Sequence, residues 1–346
     1  MAKSPLMAIF LGALLFFAAG FIPYSEAYLA QAAEFTAPFI GPFLYMGFAL
    51  YLSLIAAVVF GTAPPGKIKM MGFFFLSLIG LTWACPLLQS LLYDASPGIP
   101  GRMDAVFSAA FQIGCVLLGM VLFALNYKTA QPPADNDPPQ SVAIEYKLRP
   151  VMLIVNIVVL PLIYTLLFFV AWYFLYWHNA DVRAFYGAAE DGGFIGAIVN
   201  VLLNDAWMLT LALAKGLAYT VFTLPMLFLF KAKRVLFLIL NVLLYLSGLV
   251  RMLIPDPIMP DAIRWPYLIC NGALLFVFAV LAGVLLHILV FRKIVTELPP
   301  QKPAARTVTP EQAAAIAKAR AAKAAAAKGP TAEQAADVVS AVIKGE

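Results

Sequence analysis

The chain has 346 residues, of which 63% are hydrophobic and only 12% charged, and its mean hydropathy is +0.90. Soluble domains carry about 25% charged residues, so this composition excludes a soluble globule. The net charge of +5 comes from basic residues at the ends of apolar runs and in the C-terminal tail. That placement reads as membrane topology and headgroup anchoring, not as nucleic-acid binding.

Apolar runs close to the roughly 20 residues that cross about 30 Å of hydrocarbon recur along the chain. The first covers residues 5–23, after Lys3 and before Ala30-Gln31-Ala32. An A-x-A pattern can mark a signal-peptide cleavage site, but the run is longer than the usual h-region of about 7–15 residues. It is therefore read as an uncleaved first helix. A second span is expected over 39–60, and Thr62-Ala-Pro-Pro-Gly-Lys-Ile-Lys69 breaks the chain after it, because paired prolines and a glycine cannot continue a helix.

Helices follow over 70–93 and 105–127, separated by the Pro- and Gly-rich turn Asp94–Gly101. The polar stretch Thr129 to Arg149, with Pro132, Pro133, Pro138 and Pro139, reads as a solvated connector. A long span is expected over 150–177. Beyond a charged loop, Gly193 to Asn204 reads as a short interfacial helix. Three more spans follow over 206–230, 235–254 and 265–291. Trp172, Trp177, Trp207 and Trp265 fall at the ends of these helices, where indole rings favour the headgroup level.

Threaded as eight crossings, the chain places Lys3, Lys67, Lys69, Lys128, Lys147, Arg149, Lys231, Lys233, Arg234, Arg292 and Lys293 on one side. The other side receives Arg102, Arg183 and Arg264. By the positive-inside rule the basic side is cytoplasmic. The expected fold is an all-α integral membrane protein: a polytopic bundle of about eight transmembrane helices over 1–293, in the plasma (inner) membrane, with both termini cytoplasmic. The Lys67/Lys69 and Lys231/Lys233 stretches each precede a helix, a Pro-rich turn carrying an Arg, and a second helix. That pattern suggests a parallel repeat of 1–128 and 147–293.

From 294 to 346 the composition shifts to Ala, Lys, Glu and Gln. Thr309-Pro310-Glu311-Gln312 and Thr331-Ala332-Glu333-Gln334 each open a helix with capping-box spacing. In the second, Ala335, Val338, Val339 and Val342 form one narrow apolar stripe. A helix this short is marginal alone, so Val338, Val339 and Val342 suggest docking on a partner protein.

Chemistry in such a chain is sought among polar groups inside the spans, because an ionisable group in hydrocarbon is costly. Two charges fall there, Lys215 and Arg251. Counted from the basic side, both lie roughly 24 Å up consecutive helices at 1.5 Å per residue. They could form a paired cationic site for an anion, a carboxylate or a lipid phosphate, with Asn204 three turns from Lys215 if the helix is continuous. The competing expectation, and the favoured one, is that both long side chains snorkel to the headgroups or pair structurally. Asn156, Asn241 and Asn271 are expected to bond across helices, and Pro161 and Pro225 to kink theirs.

No Asp or Glu lies within a span, which lowers the weight of proton- or sodium-coupled transport. His178 and His287 fall near opposite sides, and Cys85, Cys115 and Cys270 lie in apolar runs without CxxC spacing. No metal, haem or other cofactor is expected. Nor does the chain carry a Walker loop, HExxH, G-x-S-x-G or paired intramembrane aspartates. The leading functional expectation is a non-enzymatic membrane subunit of a larger complex, in contact with lipids and with other membrane or cytoplasmic subunits. The alternative is a channel or uncoupled transporter for a small anionic solute, using Lys215 and Arg251. An intramembrane enzyme comes last.

Overall fold

The computed structural model describes residues 41–62, 67–92, 102–126, 142–185, 193–253, 261–297 and Lys318. The expected first span, the second tail helix with its Val338, Val339 and Val342 stripe, and all of the first tail helix except Lys318 lie outside the described residues. Two units are distinguished, one of 1–137 and 144–295 and one of 138–143 and 296–346.

The larger unit is built from helices: α1 (Gly41–Thr62), α2 (Lys67–Ile79), α3 (Cys85–Leu92), α4 (Arg102–Asn126), α5 (Pro150–Ala171), α6 (Ala180–Phe185), α7 (Gly193–Asn204), α8 (Trp207–Leu229), α9 (Arg234–Met252) and α10 (Asp261–Val290). Two short π-helical segments interrupt longer rods, Gly80–Ala84 between α2 and α3 and Trp172–Trp177 at the end of α5. Among the described residues, five helical stretches are long and apolar enough to cross a membrane: Ile68–Gln89, Ala105–Leu125, Pro150–Trp177, Trp207–Leu229 and Asp261–Val290. Shorter apolar helices run over Met46–Thr62, Gly193–Asn204 and Arg234–Val250.

The surface is apolar as well as the core. On α5, Val151, Ile154, Val155, Val158, Leu162 and Leu166 are all exposed. Their spacing of three and four residues makes one continuous outward stripe. Contiguous apolar surface on this scale is untenable in water and is the natural state of a helix against lipid. The protein is thus an all-α membrane protein.

Helix α8 is the pivot, packing against α5, α2 and α3, while α10 packs against α9 and α5. Its buried face runs through Ala212, Lys215, Gly216, Tyr219, Thr220, Thr223 and Met226, the spacing of a single helical stripe. Contact with α5 is close because residue 216 is glycine: a Cβ there would lie 2.8 Å from Pro161 Cα and 2.9 Å from Tyr164 Cβ. Gly80, in the first π-helical segment, plays the same part toward Phe222, whose ring would overlap any Cβ at that position.

The connector before α5 departs from expectation. Val142–Leu148 is a strand, β1, paired with β2 (Phe291–Glu297), which comes directly after α10. Arg149 N–H donates to Val290 O at 2.8 Å. The end of β1 therefore lies beside the start of β2, and the two run antiparallel. Val142-Ala-Ile-Glu-Tyr-Lys-Leu148 carries β-branched and aromatic residues among polar ones, a signal that its proline-rich flank obscures. Strand β2 likewise spans the boundary expected at 293/294.

The three expected cross-helix amides also divide. Asn241 does bridge, donating to Ala279 O at 2.8 Å. Asn156 and Asn271 instead donate to carbonyls of their own helices, Met152 O at 2.7 Å and Tyr267 O at 2.9 Å. A backbone acceptor one turn back is always within reach of a helical Asn.

A candidate functional site at the buried amine of Lys215

Lys215 sits eight residues into α8, about 12 Å from the helix end that carries Trp207 at 1.5 Å per residue. Its depth agrees with the count from sequence. Its direction does not agree with snorkelling: the residue is only 6% exposed, and Nζ donates to Gln89 Oε1 of α3 at 2.8 Å. The stripe that buries Ala212, Gly216 and Tyr219 carries residue 215 into the bundle along with them.

Gln89 is reached from a third helix as well. Tyr267 Oη of α10 approaches the same Oε1 at 3.4 Å, and Tyr176, from the second π-helical segment, packs edge-on against Tyr267 with centroids 5.7 Å apart. The buried Cys85 thiol, one turn before Gln89 on α3, lies within electrostatic range of the Lys215 ammonium. Elements α3, α8 and α10 thus converge on one amide oxygen.

The local sequence explains the convergence. Residues 80–84 are π-helical, which adds a residue to the turn and shifts the register of everything after it. In that segment Thr82 Oγ1 contacts Ser247 Oγ at 2.5 Å and Trp83 Nε1 donates to Gln112 Oε1 at 2.5 Å. These buried bonds tie α9 and α4 to the bulge, and α3 leaves it carrying Cys85 and Gln89 toward α8.

Of the other residues singled out from sequence, Asn204 is not brought to Lys215. The chain breaks at Asp205–Ala206 between α7 and α8, so the three-turn spacing of a continuous helix does not apply. Asn204 is exposed and donates to Asn200 Oδ1 at 2.5 Å. Arg251 lies in the last turn of α9, and its side chain is outside the described residues. Sequence reasoning missed Gln89 and Tyr267. A glutamine inside an apolar span is the signal that finds the first, since its amide must be satisfied within the protein.

Deeper along α8 lies a second polar cluster. Thr223 Oγ1 contacts Tyr245 Oη at 2.9 Å and donates to Tyr219 O at 2.9 Å, and Tyr245 Oη donates to Tyr219 O at 3.1 Å. Tyr219 stacks on Tyr245 with centroids 5.1 Å apart, and Phe278 packs edge-on against Tyr164 at 5.1 Å. These rings fill the bundle interior below Lys215.

In the first turn of α10, Arg264 is buried with one nitrogen on Asp261 at 2.7 Å. Among the described residues no group of three or more His, Cys, Asp or Glu is placed to hold a metal ion. No protein-family model, curated protein or solved structure matches the chain. Fold and site together define a class, the polytopic helical membrane protein with a buried cation.

Proposed function

We propose that the protein is a membrane-embedded, uncoupled carrier or channel for a small anionic solute, with Lys215 as the group that holds the anion. In this reading the chain crosses the inner membrane about eight times, the Lys- and Arg-rich ends face the cytoplasm, and the Trp-bearing end faces outward. The observation that carries it is the state of Lys215. It is buried in a span, bonded to a neutral amide, and among the described residues the one ion pair is that of Arg264 with Asp261, elsewhere on α10. A buried ammonium without a counter-charge is costly unless something anionic joins it. A purely structural position would be filled more stably by Met or Leu.

Purified protein in liposomes tests this directly. Wild type is expected to pass a small anion, and Lys215→Met to lose that flux while folding in equal yield. Equal flux through both would sink the reading.

A second reading, the non-enzymatic subunit of a larger membrane complex, draws support from the β1–β2 ribbon. Among the described residues the sheet has two strands, so each has one described neighbour and one further edge. Glu145, Lys147, Leu148, Arg292, Lys293 and Val295 are exposed on it. A two-stranded ribbon is marginal by itself, and an open edge is a template for a partner strand. Mild-detergent affinity purification with mass spectrometry, repeated without residues 309–346, checks it: a single-component preparation would end this alternative.

A further inference from the structure

The donor geometry at Lys215 defines the ligand more narrowly than charge does, and the inference rests on the anion reading above. Gln89 Oε1 accepts from Lys215 Nζ at 2.8 Å and faces Tyr267 Oη at 3.4 Å. With the carbonyl end of the amide turned to both, its orientation is fixed by the network, and the Nε2 end is left as donor. An ammonium carries three protons and a primary amide two. One of the five N–H groups is used in the Lys215–Gln89 bond, and among the described residues the rest have no acceptor. Gln89 and Tyr267 are half-buried, so this donor set is not sealed.

We propose that the site takes a small monocarboxylate, one oxygen on Lys215 Nζ and the other on Gln89 Nε2. Two adjacent donors, one charged and one neutral, match the two oxygens of a planar carboxylate. A halide is a single sphere and gains most of its stabilisation from the ammonium alone. A phosphate or sulfate dianion would leave an uncompensated negative charge in the span, which the low dielectric penalises. The acid must be small, because Lys215 is only 6% exposed inside the packed bundle. Tyr267 is a positioning residue here: it holds the amide in the orientation that presents Nε2.

The test uses the full-length protein in detergent, with pyruvate, chloride, nitrate and sulfate as probes and thermal stabilisation as the readout, followed by isotherms for the probes that bind. Pyruvate is expected to bind most tightly. Gln89→Leu should weaken pyruvate by about 10–100-fold, the loss of one hydrogen bond to a charged group, and should change chloride much less. Gln89→Glu, close to isosteric, guards against a folding defect. Its carboxylate would occupy the ammonium internally and abolish binding of all four. Chloride or nitrate binding as tightly as pyruvate, lost in Lys215→Met but unchanged in Gln89→Leu, would overturn the carboxylate assignment and leave the anion reading standing. Wild-type pyruvate binding by Gln89→Glu would overturn it too. No stabilisation of wild type by any probe would remove both.

Discussion

Helix α8 carries two buried polar clusters, and they differ in whether their donors are used. Around Thr223, the Thr223 and Tyr245 hydroxyls both have acceptors: they contact each other and each reaches Tyr219 O, while Asn241 nearby spans to Ala279 O. Around Lys215, a charged group and an amide share one bond and hold further protons without acceptors among the described residues. A fully satisfied network rigidifies a bundle. An incompletely satisfied one that includes a charge is retained at a cost in stability. On the proposed function, the contrast separates a cluster that builds the fold from one that takes a ligand.

Substitution should pull the two apart. The largest effect is expected for Lys215→Met, with anion affinity reduced about 100-fold or more and melting temperature unchanged or raised, as befits removal of a buried charge. A fall in melting temperature with affinity intact would reverse the roles assigned to the two clusters. Next comes Gly216→Ala, whose Cβ would meet the α5 backbone at 2.8 Å. Overpacking of this kind costs about 1–3 kcal/mol, read as loss of thermal stability, and it should disturb both clusters because it separates α8 from α5.

Tyr245→Phe removes one hydroxyl from the closed cluster. A loss of about 0.6–1.7 kcal/mol is expected, the range for such bonds inside membranes, with no change in anion binding. Smallest of all should be Asn156→Leu. Among the described residues its amide bonds only to Met152 O of its own helix, a carbonyl the helix already satisfies, so thermal denaturation should shift by less than about 0.5 kcal/mol. A large destabilisation there would mean that the amide has a partner across the bundle after all.

How much of this was legible beforehand differs by feature. Helix positions within the described residues were, because spans of hydrocarbon length are bounded by prolines, glycines, basic residues and tryptophans whose preferences are local. Start and end of α8 at Trp207 and Leu229 lie within a residue of the expected 206–230. Its break from α7 was legible too, since the short helix was expected to end at Asn204 and the next span to start at 206, as they do within a residue. The π-helical turns were hidden. Gly80 permits the close approach of Phe222, but a glycine in a span has many other uses. Strand β1 is a pairing with a segment more than a hundred residues away, and such non-local pairing leaves only a weak trace in either partner.

The sequence by itself determined that this chain lives in a membrane, where its helices run, and how far along α8 the lysine stands. Only the tertiary structure decided which way that lysine faces. In a soluble helix the polar face marks the outside; in a span, lipid and interior are both apolar, and the periodicity that would distinguish them is nearly erased. Packing of α8 at Gly216 against α5, and the arrival of Gln89 from α3, turned Lys215 inward and gave its charge something to do.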